Sequence, residues 1–228
     1  MSDVTGGATG RRDERVPPEI VAVQDESGDF GHGEWVFIGI LWVRGEDVTA
    51  LADDLRARRD GYTGEIHFYR FPRNFGGAYG AAARAAREWL DLWRVTWAPR
   101  TWFNVLAVNR RHIRYDHERF ARPEVAYPHF TALALTEGLA TFFKHLPAIG
   151  LSICSDERSG RAEHVAGTQR GASEFQQELR RALADTLANG YGDPRIAPDE
   201  VPVMSLSCEA TGDPFTAHQE LLQLTDLL

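Results

Sequence analysis

Residues 20–43 read IVAVQDESGDFGHGEWVFIGILWV, and this stretch decides the fold. Residues 20–23 are apolar in succession, which is typical of a strand that is covered on both faces of a sheet. Residues 27–33 consist largely of Gly, Asp and Ser, the residues that form turns. Residues 34–43 form a second apolar run. The stretch therefore predicts a β-hairpin at the centre of a sheet.

The rest of the chain alternates between helical and strand-like patterns. Apolar periodicity predicts helices over 46–60, 77–93, 127–146 and 172–189, and strands over 101–108, 149–154 and 201–206. A last helix is predicted from Asp213-Pro214 to the end, because an acidic N-cap precedes a proline at the first helical position. We expect one α/β domain over 19–228, with a mixed five-stranded sheet flanked by helices. Residues 1–18 are polar and are predicted to be a disordered tail.

Composition limits the classes of function. The 228 residues carry a net charge of −8, which disfavours a protein that coats nucleic acid with a basic surface. The two cysteines, Cys154 and Cys208, lie in apolar runs and indicate no disulfide framework. No segment has the apolar length of a signal peptide or a membrane span, so we expect a cytoplasmic protein without a membrane partner.

Three acidic residues fall where one pocket can collect them. Asp25 follows the first predicted strand, Asp156 follows the fourth, and Asp226 lies in LLQLTDLL on the last helix. Strand ends are the usual ligand site of an open α/β sheet. Carboxylates that meet need a cation or a proton between them, and hard oxygen ligands suit Mg²⁺ or Mn²⁺. The three positions therefore predict a divalent-metal site.

Each acid also has an ordinary structural explanation. Asp25 stands among turn formers, Asp156 is placed as a turn or helix-cap residue, and Asp226 can be a solvated helix residue. These explanations hold for each residue alone. They weaken jointly, because three independent surface acids have no reason to coincide at one end of the sheet.

Three short motifs together resemble a known family. DESG at 25–28 after an apolar strand, EIHF at 65–68 after the first helix and QLTDLL at 223–228 resemble the bacterial family known as domain of unknown function 3800. The resemblance covers roughly residues 20–228. It implies a ribonuclease H-like fold and a metal-dependent nuclease site, in proteins often linked with mobile elements or phage defence.

The resemblance also implies a set of site residues. The acid after the fourth strand is Asp156 or its neighbour Glu157, and Glu65 with His67 matches the family's Glu-x-His element. The alternative for this pair is a surface-loop Glu and a hydrogen-bonded His. Glu26 is a further candidate metal ligand, although adjacent residues of an extended segment point to opposite sides. Gln223 and Ser27 are candidate second-layer residues, of which Gln223 would orient a carboxylate.

The leading hypothesis is phosphodiester hydrolysis with two divalent ions. Asp25 would bridge both ions, Asp156 and Asp226 would complete one site each, and Glu65 or His67 would orient water or protonate the leaving group. Candidate substrate-binding residues are the arginines Arg70, Arg73, Arg110, Arg111 and Arg114, which otherwise form a solvated face. Nucleic acid, DNA or RNA, is the expected partner.

Two other functions stay open from the sequence. The same fold can serve as a non-catalytic module that recognises nucleic acid or protein, which the acidic net charge mildly favours. A hydrolase acting on a small phosphorylated molecule has less support, since the chain lacks a P-loop and a Rossmann glycine pattern. No Gly-x-Ser-x-Gly surrounds Ser27, which disfavours an α/β-hydrolase. A homo-oligomer or a defence-system partner protein is compatible with the many aromatic residues.

Overall fold

The computed structural model describes residues 16–67, 80–156, 170–208 and 214–228, with the side chains of residues 170–173 excepted. The strands in these ranges are β1 (Glu19–Ser27), β2 (Trp35–Arg44), β3 (Trp102–Asn109), β4 (Gly150–Asp156) and β5 (Val203–Leu206). The α-helices are α1 (Val48–Ala57), α2 (Ala81–Leu92), α3 (Pro123–Phe142), α4 (Arg170–Ala188) and α5 (Ala217–Leu227). Residues 1–15, most of the predicted tail, lie outside the described ranges.

The five strands form one mixed sheet in the order β3-β2-β1-β4-β5. Strand β2 is antiparallel to both β1 and β3, while β1, β4 and β5 run parallel to one another. The central position of β1 explains its composition, because a strand covered on both faces must be apolar at successive residues. The predicted hairpin and the predicted mixed five-stranded α/β sheet are therefore confirmed.

Helices cover both faces of the sheet. Ile20 and Ala22 of β1 pack in one core with helices α3 and α4. Val21 and Val23 pack in a second core with α1, α2 and α5. Side chains alternate between the faces of a strand, so Asp25, two residues after Val23, points to the side of α1, α2 and α5. This alternation decides which helices can meet the acid of β1.

Several predicted boundaries are wrong by a few residues. Strand β1 continues to Ser27, which pairs with Phe37 of β2, so Asp25 lies within the strand and does not start a turn. Helix α3 begins at Pro123 instead of residue 127 and ends at Phe142.

The start predicted for the last helix at Asp213-Pro214 is also wrong. Helix α5 begins at Ala217, and Asp213 lies outside the described residues. Thr216 is the N-cap: its hydroxyl accepts from the backbone N–H of Gln219, whose side chain accepts from the backbone N–H of Thr216. This reciprocal capping box satisfies two amide donors at the helix end, which a proline cannot do.

Two further sequence expectations concern thiols and membranes. Cys154 and Cys208 are both buried free thiols, in agreement with the absence of a disulfide framework. Among the helices of the described residues, none combines the length and the apolar character needed to cross a membrane.

Candidate functional site

Two of the predicted acids lie side by side at the carboxyl ends of parallel strands. The register of β1 and β4 pairs Gln24 with Ser155, and Asp25 and Asp156 are the next residues on each strand. Both side chains point to the face that carries α5, since Val23 and Cys154, two residues earlier on each strand, belong to the core on that face. Strand pairing alone therefore brings two carboxylates together.

Helix α5 adds the third acid. Leu221, Leu222 and Leu224 are buried in the core between α5 and the sheet, which fixes the rotation of the helix. Asp226 then reaches the strand ends, where its carboxyl shares a hydrogen bond with that of Asp25. The three predicted aspartates thus lie together in one place.

The acids line a cleft of about 270 Å³, a volume that includes the part open to solvent. Its lining residues are Asp25, Glu65, Ile66, His67, Asp156, Cys208, Leu222, Gln223 and Asp226. Residues from the segment after α1 thus close the cleft opposite the strand ends, as the motif at 65–68 predicted. Burial is the largest cause that raises the pKa of the Cys208 thiol, and the charge of Asp156 is the next. This side chain therefore stays protonated and uncharged in the cleft.

His67 contacts the acidic cluster directly. Its Nδ1 lies 2.6 Å from Oδ2 of Asp226, and both side chains are partly buried, at 24% and 16% exposure. When Nδ1 carries the proton and donates to the carboxylate, Nε2 becomes the basic nitrogen of the neutral ring. The contact therefore fixes both the orientation of the imidazole and the position of its basic atom.

Asp25 is the electrostatic centre of the cluster. Its pKa is raised well above the ordinary value of 3.8, first by burial and then by the charges of Glu26, Asp226 and Asp156. The hydrogen bond with Asp226 raises it further, because it favours the protonated carboxyl. A proton on Asp25 lets Asp226 accept two hydrogen bonds, one from Asp25 and one from His67. Protonation of Asp25 would therefore lower the repulsion within the cluster.

The donor chemistry of the cleft suits a hard divalent cation, but the side chains are engaged with one another. Across the described residues, no group of three or more His, Cys, Asp or Glu side chains stands arranged to hold a metal ion. Asp25 is bonded to Asp226, and Asp226 to His67. Carboxylates bind Mg²⁺ or Mn²⁺ through oxygen, so binding here requires these acids to exchange their present partners for the cation.

A buried ion pair joins two of the segments that line the cleft. Arg59 and Glu220 are 7% and 1% exposed, and the Arg59 guanidinium donates to both carboxylate oxygens of Glu220 at 2.5–3.2 Å. The guanidinium also lies between two rings, at 4.8 Å from the centres of Trp89 and Phe215. Its Nη1 donates to the carbonyl of Gly64 at 2.8 Å. The pair thus fastens the segment after α1 to helix α5.

Gln223 extends this network to the cleft. Its Oε1 accepts from Nη2 of Arg59 at 3.0 Å and from the backbone N–H of Ile66 at 2.8 Å. Ile66 stands between Glu65 and His67, so this bond fixes the backbone from which both side chains reach the cleft. The expectation that Gln223 orients a carboxylate needs correction: its side-chain oxygen holds the backbone of the 65–67 segment instead.

Other predicted site residues lie elsewhere. Glu26 points to the opposite face of the sheet, where its Oε2 accepts from Nε2 of Gln24 at 3.0 Å, so it does not line the cleft. Ser27 is exposed at the end of β1 and is also outside the lining. Arg110 and Arg111 follow β3, two strands away from β1. Arg70, Arg73 and Glu157 lie outside the described residues.

Arg59 and Glu220 are the residues that sequence reasoning missed. Their contact joins positions 161 residues apart, and periodicity carries no information on such a pairing. One signal was available: Glu220 lies in AHQELLQLTDLL, where a charged residue next to leucines on a buried helix requires a partner. Arg59 follows the helix that packs against α5, and its burial was not apparent from the polar ARRDG around it.

Comparison with known proteins gives no match: no family model, no curated protein and no solved structure is significantly similar to the chain. The resemblance of the three motifs to the domain of unknown function 3800 family therefore stays a prediction.

Breaking the Arg59–Glu220 pair should strongly destabilise the protein. Glu220→Ala leaves the buried guanidinium uncompensated, and removing one partner of a buried ion pair costs about 3–5 kcal/mol. The control is Asp53→Ala, which removes the exposed i,i+3 pair between Asp53 and Arg56 and should cost under about 1 kcal/mol. Urea denaturation of both variants measures the difference. Equal and small effects would show that the pair does not support the fold.

Neutralising Asp25 should stabilise the metal-free protein, increasingly so as the pH rises. Above about pH 4 the unfolded chain releases this proton while the folded chain retains it, so wild-type stability falls with pH until the raised pKa of Asp25 is passed. Asp25→Asn does not lose stability in this way. In the wild type the loss amounts to about 1.4 kcal/mol per pH unit between the pKa of Asp25 in the unfolded chain and its pKa in the folded chain. Melting temperatures in EDTA from pH 4 to about pH 7.5 measure it, at roughly 2–4 °C per kcal/mol.

The control for this experiment is Asp91→Asn on the exposed side of α2. Its melting temperature should follow that of the wild type across the whole pH range. A constant difference between Asp25→Asn and wild type at every pH would contradict the raised pKa of Asp25.

Proposed function

We propose that this chain is a divalent-metal-dependent nuclease of ribonuclease H-like fold, related to the domain of unknown function 3800 family. The cleft at the carboxyl ends of β1 and β4 would be its active site. One observation carries the proposal: Asp25, Asp156 and Asp226 come from three different elements and line one solvent-open cleft. Gathering carboxylates in this way costs free energy. Proteins retain such clusters where the charge binds a ligand.

The raised pKa of Asp25 favours a cation as that ligand. Desolvation and three neighbouring carboxylates make its ionised form unfavourable in the absence of a counter-charge. A divalent cation supplies that counter-charge, and its binding would release the proton of Asp25. The oxygen-only character of the three aspartates points to Mg²⁺ or Mn²⁺ over softer metals.

Asp25, Asp156 and Asp226 would together supply the oxygen ligands that hold the divalent ions. Two divalent ions in such a site activate a water molecule and stabilise charge on the leaving oxygen of a phosphodiester. Asp226 would have to turn from His67 toward the cation, or serve both through its two oxygens.

His67 is the proposed proton carrier. With Nδ1 facing Asp226, its Nε2 can accept a proton from the attacking water or, once protonated, give one to the leaving oxygen. Glu65 lines the same cleft and is 6% exposed. It would help to orient the water molecule, since the bond from Gln223 to Ile66 fixes the backbone of both residues.

The arrangement of the sheet supports the fold part of the proposal. A mixed five-stranded sheet flanked by helices is what a ribonuclease H-like domain requires. The acids lie at the carboxyl ends of the parallel neighbours β1 and β4, between which the strand order of the sheet reverses. Ligands of open α/β sheets bind at such a position.

Cleavage assays with Mg²⁺ or Mn²⁺ on single-stranded and duplex DNA and RNA test the function. Asp25→Asn and Asp226→Asn should each lower the rate by more than about 100-fold, because even residues that only support a metal ligand cost 10–100-fold. His67→Gln should lower it by about 10²–10⁴-fold and remove one limb of the pH–rate profile. Asp91→Asn is the matched control and should cleave at the wild-type rate.

Metal-dependent cleavage that survives replacement of all three aspartates by alanine would contradict this assignment. The competing function is a recognition module of the same fold, which the net charge of −8 and the mutual pairing of the acids favour. That function is indicated when the wild type binds nucleic acid or protein but leaves every substrate intact in Mg²⁺ and Mn²⁺.

A further inference from the structure

An apolar strip lies open on the sheet face that carries the acidic cleft. Trp35 and Phe37 of β2 and Val105 of β3 are 45%, 42% and 50% exposed. Ala107 of β3, which pairs with Phe37, is also exposed. We call Trp35, Phe37, Val105 and Ala107 the aromatic strip. Large apolar side chains grouped at the surface of a sheet indicate a binding surface.

Strand register connects the aromatic strip to the cleft. Asp25 pairs with Gly39 and Ser27 pairs with Phe37, so Phe37 shares the face of Asp25. Strand spacing and rise place the Phe37 backbone about 8 Å from that of Asp25. Gly39 adds no side chain between them. Trp35, two residues before Phe37 on β2, extends the strip away from the cleft.

The Trp35 and Phe37 rings are stacked in a nearly parallel orientation. Their centres lie 6.2 Å apart, and their planes differ by 15°. Such neighbouring parallel rings suit flat ligand groups that follow one another at short intervals. Unpaired bases have this property, and base–aromatic stacking is insensitive to sequence because every base presents a π-face.

Cationic residues lie at the far end of the strip. Asn109 pairs with Trp35, and Arg110 and Arg111 follow it directly. The Arg111 side chain is 78% exposed and pairs with Glu34 at 3.0 Å, while Arg110 donates to the carbonyl of Gly33 at 2.7 Å. Arg114 is also exposed, whereas Arg110 lies over the Tyr115 ring, which packs on the opposite face of the sheet. Phosphates of a bound strand would meet Arg111 at this end of the strip.

We propose that the aromatic strip binds single-stranded nucleic acid and leads it into the acidic cleft, with bases on Phe37 and Trp35 and phosphates toward Arg111. This inference rests on the proposed nuclease function and names its substrate class. A duplex fits the strip poorly, because its bases are stacked within the helix and cannot lie against surface rings. The occupant is therefore an unpaired strand of DNA or RNA.

Fluorescence anisotropy tests the strip separately from catalysis. The ligands are a fluorescein-labelled oligothymidylate of about 12 nucleotides, the matching oligouridylate, and a duplex of equal length, all measured in EDTA so that nothing is cleaved. Trp35→Ala and Phe37→Ala should each raise the Kd for the single strands at least about fivefold, the lower end of the contribution of one stacked base. The control is Tyr191→Ala, an exposed aromatic residue at 74% after α4, which should bind as the wild type does.

The outcomes separate this inference from the nuclease proposal. Strand binding that depends on Trp35 and Phe37, in a protein that cleaves nothing, supports the strip and contradicts the nuclease. Metal-dependent cleavage with unchanged Kd in both variants contradicts the strip alone. Absence of single-strand binding by the wild type, equal preference for duplex, or a dimer that the two substitutions dissociate in sedimentation would each overturn the strip.

Discussion

The repulsion among carboxylates at the ends of β1 and β4 is the constraint around which the functional face is built. The parallel pairing that places Gln24 opposite Ser155 forces Asp25 and Asp156 to neighbouring positions. Helix α5 adds Asp226 to the same cleft. Such a cluster persists only when a proton or a cation offsets its charge. Two features lower the repulsion: the raised pKa of Asp25, which favours its uncharged form, and the contact of Asp226 with His67.

A buried ion pair joins the two segments on one side of the cleft. The Arg59–Glu220 pair is shielded by the Trp89 and Phe215 rings and ties the segment after α1 to α5. Gln223 carries that attachment to Ile66. Helix α5 thus supplies an acid to the cleft and also positions the residues that face that acid. The other side of the cleft continues into the open sheet surface of β2 and β3.

The central strands and the acidic cluster followed from the sequence because each depends on local pattern. Four successive apolar residues identify β1, and the strand periodicity fixes the face of Asp25. The same alternation argues against Glu26 as a ligand, and the structure places it on the opposite face. The leucines around Asp226 indicated a packed helix whose acid either faces solvent or has a buried partner.

Interactions between distant segments did not follow from the sequence. In the sequence, Arg59 and Glu220 look like ordinary charged residues. Only the packing of α1 against α5 makes them a buried pair. The contact of Gln223 differs from the predicted one for the same reason, since its partner is a backbone amide 157 residues away. The start of α5 was wrong because Thr216 and Gln219 form a capping box, which competes successfully with the proline signal at Pro214.

Calorimetric titration with Mn²⁺ tests whether the acids of the cleft form a cation site. We expect saturable binding at neutral pH that is lost in Asp25→Asn and in Asp226→Asn and kept in Asp91→Asn. The heat should also depend on the ionisation enthalpy of the buffer, because the cation would displace the proton of Asp25. No binding by the wild type, or binding that survives both cleft substitutions, would contradict the claim that these acids form a cation site.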